Sequence, residues 1–483
     1  MSDSAAINSL LGDDDREGLD ASFSSSSKQT LSDINGGSYT RDIRFTTQSL
    51  INSWTLIDML ELTLNIKGSA AFSANPLFAV KASILSLFKG IQIKTGNGTM
   101  ILNETEGLEF TNHLAMMLEN SNDWAVSNGA QLYWAKDRAF DHVFSGLTTK
   151  AAIANPKTAP FTGAVSATTN TFNDKYNVGF VERNRALLDS AISDDGTYIS
   201  DKSAGFNINV YIPLKYIHPF FASLDFPITN TVLQIDFLLN TAGSNSNYNP
   251  FCFGTLPAGT VETGGNVIAT IAAGTQCRLH YRIVQFHGKE GALVAAKLKG
   301  EGFKKTIRYS SFSMNRMFNN IASTSRFEHA VTSGITNPHR VWLLTPPAGV
   351  VDGSTWPSPI MTGPYGVTNL NVRINGTPQY TVDLNSFAQL WDELKKTMPP
   401  SVAGQDTSSQ LTFSDFLKTH RIHCLDISRY QHRVNGDVNA RVEIVVTGNP
   451  TSTTPVDFIY LVEREIECVI HFGPSAVLVA PGF

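Results

Sequence analysis

What most constrains this 483-residue chain is a succession of elements that occurs twice. In the first pass, Leu60, Leu62, Leu64 and Ile66 alternate with Glu61, Thr63 and Asn65. That is a strand with one side in a core and one side wet. Ile91-Gln92-Ile93 then runs into Gly96-Asn97-Gly98, a strand closed by a tight turn. A short helix follows, with Phe110, Leu114, Met117 and Leu118 at helical spacing. Val232 to Phe237 and Cys277 to Phe286 read as two later strands. In the second pass Ile307-Arg308-Tyr309 answers Ile43-Arg44-Phe45, and Val341 to Leu344 answers Leu60 to Leu64. Val372-Arg373-Ile374 with Asn375-Gly376-Thr377 answers Ile91-Gln92-Ile93 with Asn97-Gly98-Thr99. Phe387, Leu390, Trp391 and Leu394 carry the second helix. Val442 to Val445 answers Leu233 to Asp236, and Ile459 to Phe472 answers Cys277 to Phe286. The chain therefore reads as all-β, with two similar domains in succession, and its length is comfortable for two.

The repeat also locates insertions. The path from the Asn-Gly turn to the late strand is about twice as long in the first half. The excess matches an irregular stretch rich in Ala, Thr, Ser and Asn near 137–205. A loop at 241–275 also exceeds its counterpart near 447–456. Long insertions between sheet strands lie on the surface, so both are expected to form an exposed crown on the first half. The expected domains are an acidic, Ser-rich arm at 1–40, a first domain at 41–288, a glycine-containing linker at 289–302, and a second domain at 303–483. The arm has a polar run from Ser24 to Ser27, and Ile7, Leu10 and Leu11 make only about one turn of apolar helix face. Alone it is expected to be disordered, so a neighbouring subunit is the natural candidate to hold it.

Composition narrows the function. Charged residues are 16% of the chain, against about 25% in an average soluble domain. This suits a surface largely covered by neighbours, since charges are costly to bury in contacts. A β-rich protein with many polar turns has the same composition. The net charge is −5, and residues 1–40 account for all of it, with seven acids against two bases. No basic arm is present to displace counterions from phosphates, so direct nucleic-acid binding is not expected. Cys252, Cys277, Cys424 and Cys468 are scattered, without zinc or redox spacing, and read as reduced, buried thiols. Neither a signal peptide nor an apolar run of membrane-spanning length appears, which points to folding in a reducing compartment. Asn97, Asn103 and Asn375 fit the N-glycosylation pattern, but without secretion these are coincidences.

Three clusters were candidates for chemistry. His420, His423 and Cys424, with Asp426 near and His432 beyond, form the only histidine group, and two histidines three apart can share a helical face in a metal site. No second cysteine has ligand spacing, so packing around a strand end is the expected role. Phe220, Phe221 and Phe226 are a potential stacking platform for sugars or bases, but their apolar context favours a core. Glu463, Glu465 and Glu467 alternate along one strand face, which a solvated or interface-facing strand explains more simply than paired catalytic carboxylates. No nucleophile elbow, zinc-protease or P-loop pattern occurs. The expected sets of catalytic, cofactor-binding and metal-binding residues are empty, and no enzymatic activity is expected.

Three stretches carry a family resemblance: Leu87-Phe88-Lys89-Gly90-Ile91-Gln92-Ile93 through Asn97-Gly98; Phe206 to Leu239, containing Ile212-Pro213-Leu214 and Phe220-Phe221; and Gly366 to Gly376 with the following Tyr380 to Leu384. Two β-sandwiches, each with a strand, an Asn-Gly turn and a flanking helix, resemble the double jelly-roll major capsid proteins of icosahedral viruses, in the manner of virophages and polinton-like viruses. The resemblance covers nearly all of residues 41–483. It implies two consecutive eight-stranded jelly rolls with short flanking helices and long surface loops. It implies a homotrimer forming a pseudo-hexagonal capsomer, with neighbouring capsomers and minor capsid and penton proteins as partners. The location implied is the virion capsid, assembled inside the host cell. A β-sandwich virion spike or glycan-binding protein is the alternative, and it requires exposed aromatic platforms.

Overall fold

A computed structural model describes residues 23–36, 42–50, 53–68, 76, 78–137, 177–229, 231–240, 248–253, 267–271, 277–299, 303–318, 324–353, 356–399, 409–428, 441–472 and 477–479. The first half supplies β1 (Ser25–Ser32), β2 (Asp42–Thr46), β3 (Trp54–Gly68), β4 (Phe78–Val80), β5 (Phe88–Thr95) and β6 (Met100–Glu104). After helices α1 (Leu108–Glu119) and α2 (Val178–Asp189) come β7 (Phe206–Pro213), α3 (Pro219–Ser223), β8 (Leu233–Leu239), β9 (Phe251–Phe253), β10 (Val267–Ile271) and β11 (Arg278–Gln285). Helix α4 (Gly288–Lys299) leads to the second half. That half contains β12 (Phe303–Phe318), β13 (Phe327–Ile335), β14 (Pro338–Leu344), β15 (Val367–Ile374), β16 (Thr377–Pro378), α5 (Phe387–Lys395) and α6 (Phe413–Lys418). It ends with β17 (His423–Asp426), β18 (Val442–Pro450), β19 (Asp457–Phe472) and β20 (Val477–Val479).

Pairing makes the repeat explicit. In the first half one sheet runs β1-β11-β3-β7 and the other β2-β8-β5-β6. In the second half the corresponding sheets run β12-β19-β14-β17 and β13-β18-β15-β16. Each half is a jelly roll of two four-stranded sheets, with β10 added along β3, β20 along β19, and a separate β4-β9 ribbon. Full alternation along β3 decides its facing, because a one-residue slip would turn Leu60, Leu62, Leu64 and Ile66 out to water. All four are buried, and fully burying such a side chain contributes roughly 1.5–3 kcal/mol. Asn375 and Gly376, at φ 49° and 80°, make the tight turn between β15 and β16. Asn375 tolerates that conformation and its Oδ1 accepts from Glu443 N at 2.9 Å. No helix among the described residues is long and apolar enough to cross a membrane.

The structure departs from the sequence reading in four places. The segment read as an arm contributes β1, which pairs with β11 from Ser25↔Gln285 to Ser32↔Arg278; residues 1–22 and 37–40 lie outside the described residues. With β1 counted, β12 is the counterpart of β1, so Ile307-Arg308-Tyr309 does not answer Ile43-Arg44-Phe45 in β2. The remaining correspondences hold strand for strand. The insertion near 137–205 is not uniformly irregular or exposed. Residues 138–176 are outside the described set, but α2 packs with Phe180, Arg183, Asn184 and Leu187 buried. Within 241–275, Phe251-Cys252-Phe253 is a buried strand paired with β4, and 267–271 extends the β3 edge. Finally, the proposed linker is mainly helix α4: Gly288 and Gly291 sit in its first turn, and the Ala/Leu/Lys composition that follows favours a helix.

Candidate functional site: the seam between the halves

The two halves meet along one seam, and that seam fixes how their surfaces are positioned. Helix α1 begins at Gly107, whose φ of 94° and missing side chain both matter. A Cβ there would meet Met314 Cβ, on β12, at 3.0 Å. The glycine therefore lets the second half close onto the helix. Ten of the twelve residues of α1 are buried, polar Glu109, Thr111, Asn112 and His113 among them.

Hydrogen bonds across the seam come from side chains that the local folds already hold. Glu104, ending β6, accepts from Phe312 N of β12 at 2.7 Å and pairs with His218 Nε2 at 3.1 Å; both side chains are almost wholly buried. The Tyr309 hydroxyl donates to Ile101 O at 2.9 Å, and Ser223 Oγ to Arg308 O at 2.6 Å. Gln410 plugs the far end of α1. Its Nε2 donates to Met116 O at 2.9 Å, its N to Met117 O at 3.1 Å, and its Oε1 accepts from Trp134 Nε1 at 2.9 Å. Lys136 Nζ then reaches Gln410 O at 2.7 Å and Asp415 Oδ2 at 3.0 Å. Buried Arg183 on α2 donates to Val80 O, to Asp137 Oδ1 at 2.8 Å and to Pro357 O at 3.3 Å. Aromatic pairs fill the gaps: Phe220 with Tyr309 at 5.3 Å, and Phe472 with Trp54 and Phe226 at 6.0 and 6.2 Å between centroids. These hydrogen bonds and interlocked aromatic rings join the halves into one block, although Glu109 Oε2, Asn112 Nδ2 and Ser311 Oγ are buried there without a hydrogen-bond partner.

A cleft of about 490 Å³ opens beside α1, between Leu114, Leu118, Trp124 and Tyr216 on one side and Arg340, Trp342 and Glu463 on the other. Glu463 is held by Trp342 Nε1 at 3.1 Å, Arg340 Nη1 at 3.3 Å and Ser310 Oγ at 2.8 Å. Burial, reinforced by the Glu463 charge, raises the Glu119 carboxyl above its usual range.

The residues singled out from the sequence have structural placements. His423 Nε2 accepts from Val367 N at 3.1 Å, and His420 Nδ1 lies 2.9 Å from Thr419 Oγ1. Burial lowers both imidazoles to about 3, so both are neutral, and it pushes the Cys424 thiol well up. Asp426 Oδ1 accepts from Ser428 N and Oγ. His432 lies outside the described residues. Among the described residues no group of three or more His, Cys, Asp and Glu is arranged to hold a metal ion. Glu463, Glu465 and Glu467 do not converge on a cleft together; Glu465 faces His339 at 3.7 Å and Glu467 pairs with Arg308 at 3.0 Å. Phe220, Phe221 and Phe226 are buried, which removes them as a stacking platform. All four cysteines are buried and none is in a disulfide. The residues that make the seam, Glu104, His218, Arg183 and Gln410, were not legible in the sequence. Each is a lone polar residue whose partner is distant in the chain.

No protein-family profile matches the chain, and no curated protein sequence matches it. The fold does have known likenesses among solved structures, and what they share with this chain is the double jelly roll. A chain from the cryo-EM structure of the Sputnik virophage aligns at a TM-score of 0.59 and 13% identity, over 95% of this chain and 89% of that one. The mavirus major capsid protein aligns at a TM-score of 0.50 and 11% identity, over 96% and 91%.

Proposed function

We propose that this chain is the building unit of an icosahedral virus shell, three copies forming a pseudo-hexagonal capsomer of six jelly rolls. The observation that carries the reading is the seam: two equivalent jelly rolls are locked into one block, along the whole length matched by the viral capsid fold. A block of two like units becomes a near-sixfold tile when three copies close in a ring. Tile edges then meet through many contacts of modest strength, which together hold a shell while permitting correction during assembly. On this reading the protein resides in the virion after assembly inside the host cell, catalyses no reaction, and contacts minor capsid and penton proteins but not the genome directly. The glycan-binding alternative loses its aromatic platform, since Phe220, Phe221 and Phe226 are core residues.

Light scattering of the purified chain, with negative-stain imaging of the same peak, tests this. The expected result is a particle of three times 52.6 kDa with a hexagonal outline. A stable monomer at all concentrations overturns the reading.

A further inference from the structure

The cleft beside α1 is not needed to join the halves. Its volume of about 490 Å³ falls in the range of roughly 300–1,000 Å³ usual for small-molecule sites, which often lie between packed domains. Much of its wall is apolar: Leu114 and Leu118 on α1, Trp124, Phe312 on β12 and Trp342 on β14. Apolar walls alone do not say what fills a cleft. The polar groups on this one narrow the choice.

Asn112, Ala115 and Glu119 are three and four residues apart, so they share one face of α1, and all three line the cleft. Asn112 is 4% exposed, and its Nδ2 is buried without a hydrogen-bond partner among the described residues. A buried donor left unmade is costly, and an acceptor brought by a ligand would relieve it. Two more donors stand on the far side of α1. The Tyr216 hydroxyl oxygen accepts from Trp124 Nε1 at 2.9 Å, which leaves its own O–H to donate. Lys215 holds its ammonium 4.9 Å from the centre of the Tyr216 ring. The carboxylate opposite is already matched, since Glu463 accepts from Arg340, Trp342 and Ser310.

We propose that the cleft binds a small amphiphilic carboxylate, its apolar tail against Leu114, Leu118, Phe312 and Trp342 and its head group accepting from Asn112 Nδ2 and Lys215 Nζ. A bare cation would find donors where it needs acceptors. A neutral tail without an acceptor would leave Asn112 orphaned and Lys215 unused. Glu119 works against an anion, so its charge limits the affinity. The site does not depend on the shell reading, because all of it lies within one chain.

Isothermal titration of the full chain with decanoate, kept below its micellar concentration, tests this. Saturable binding of one decanoate per chain is expected. Decanol and decyltrimethylammonium should each bind about tenfold more weakly or worse, because the charge-assisted hydrogen bonds to the head group are lost. Asn112→Leu should weaken decanoate by about tenfold and also raise the melting temperature of the unliganded chain, since an orphaned donor gives way to an apolar group of similar size. A lowered melting temperature would make Asn112 a structural residue and overturns its role as a head-group donor. Lys215→Met changes an exposed side chain and does not depend on that outcome. It should weaken decanoate and leave decanol unchanged. Glu119→Gln should tighten decanoate. Absence of saturable binding overturns the proposal, as does decyltrimethylammonium bound as tightly as decanoate. Decanoate affinity unchanged in both Lys215→Met and a folded Asn112→Leu puts the ligand elsewhere and overturns it too.

Discussion

At the scale of single residues, the stability of this protein depends on buried polar groups whose partners lie in the other half. Glu104 is the clearest case. Removing it by Glu104→Ala strands His218 Nε2 and Phe312 N in a closed interface. Truncating one member of a buried pair costs about 3–5 kcal/mol, and urea unfolding should register a loss of that size. Buried histidines set a pH dependence. Burial lowers His113 to about 4, and His420 and His423 to about 3, from an ordinary 6.5. Between those values the unfolded chain binds protons that the folded chain refuses, so stability falls as pH falls from about 6.5 towards 4. Each histidine contributes a slope of up to about 1.4 kcal/mol per pH unit. Glu109, raised to about 8 by burial, opposes this: it keeps a proton that the unfolded chain loses above about 4.5, so it favours the folded state as pH falls from 8. His329, which burial also lowers, joins the three histidines, and Glu119 and Asp137, which burial raises, join Glu109, so four histidines act against three carboxyls below pH 6.5. Urea midpoints should drop between pH 6.5 and 5, and His423→Gln, which retains an acceptor for Val367 N, should flatten the drop. An unchanged slope in that variant would contradict the assignment.

At the scale of elements, legibility followed exposure. Strand β3 was readable because water lies on one side and a core on the other, which forces alternation. Strand β1 was not, because nearly all of its residues are exposed and nothing selects apolar positions. Missing it displaced the first correspondence of the repeat by one strand, from β1 to β2. Helix α2 hid for the opposite reason. Its buried face includes Arg183 and Asn184, satisfied by Val80 O, Asp137, Pro76 O and Phe78 O, so its apolar stripe is broken by polar residues. Helix α6 was missed although its N-terminus is well marked. Thr412 Oγ1 accepts from Asp415 N at 3.2 Å and Asp415 returns to Thr412 N at 3.1 Å. Asp415 also receives Lys136 from the first half. Asp415→Ala removes the reciprocal cap and the clamp together, and a loss of about 1–3 kcal/mol is expected in thermal or urea unfolding. Asp415→Asn, which keeps an acceptor, should recover part of it.

At the scale of the whole molecule, the seam makes two repeats into one cooperative unit. Separate jelly rolls joined by a flexible linker would melt independently. Here α1, Glu104, Gln410 and Phe472 tie each half to the other, so calorimetry should record a single transition whose van't Hoff and calorimetric enthalpies agree. Two resolved transitions would mean that the seam contributes little.

The sequence by itself determined the all-β class, the doubling, the turns and most of the strand order, because each of these is a local pattern imposed by the side-chain period or by backbone conformation. It left undecided which face of each half meets the other, which polar residues are buried together, and that β1 belongs to a sheet. Those are decided by contacts between residues hundreds of positions apart, such as Lys136 with Asp415 and Glu104 with Phe312. A lone charged or amide side chain looks the same in sequence whether it ends in water or in a seam. Only the tertiary structure, by removing water from one side of α1 and leaving it on one side of α5, distinguishes the two.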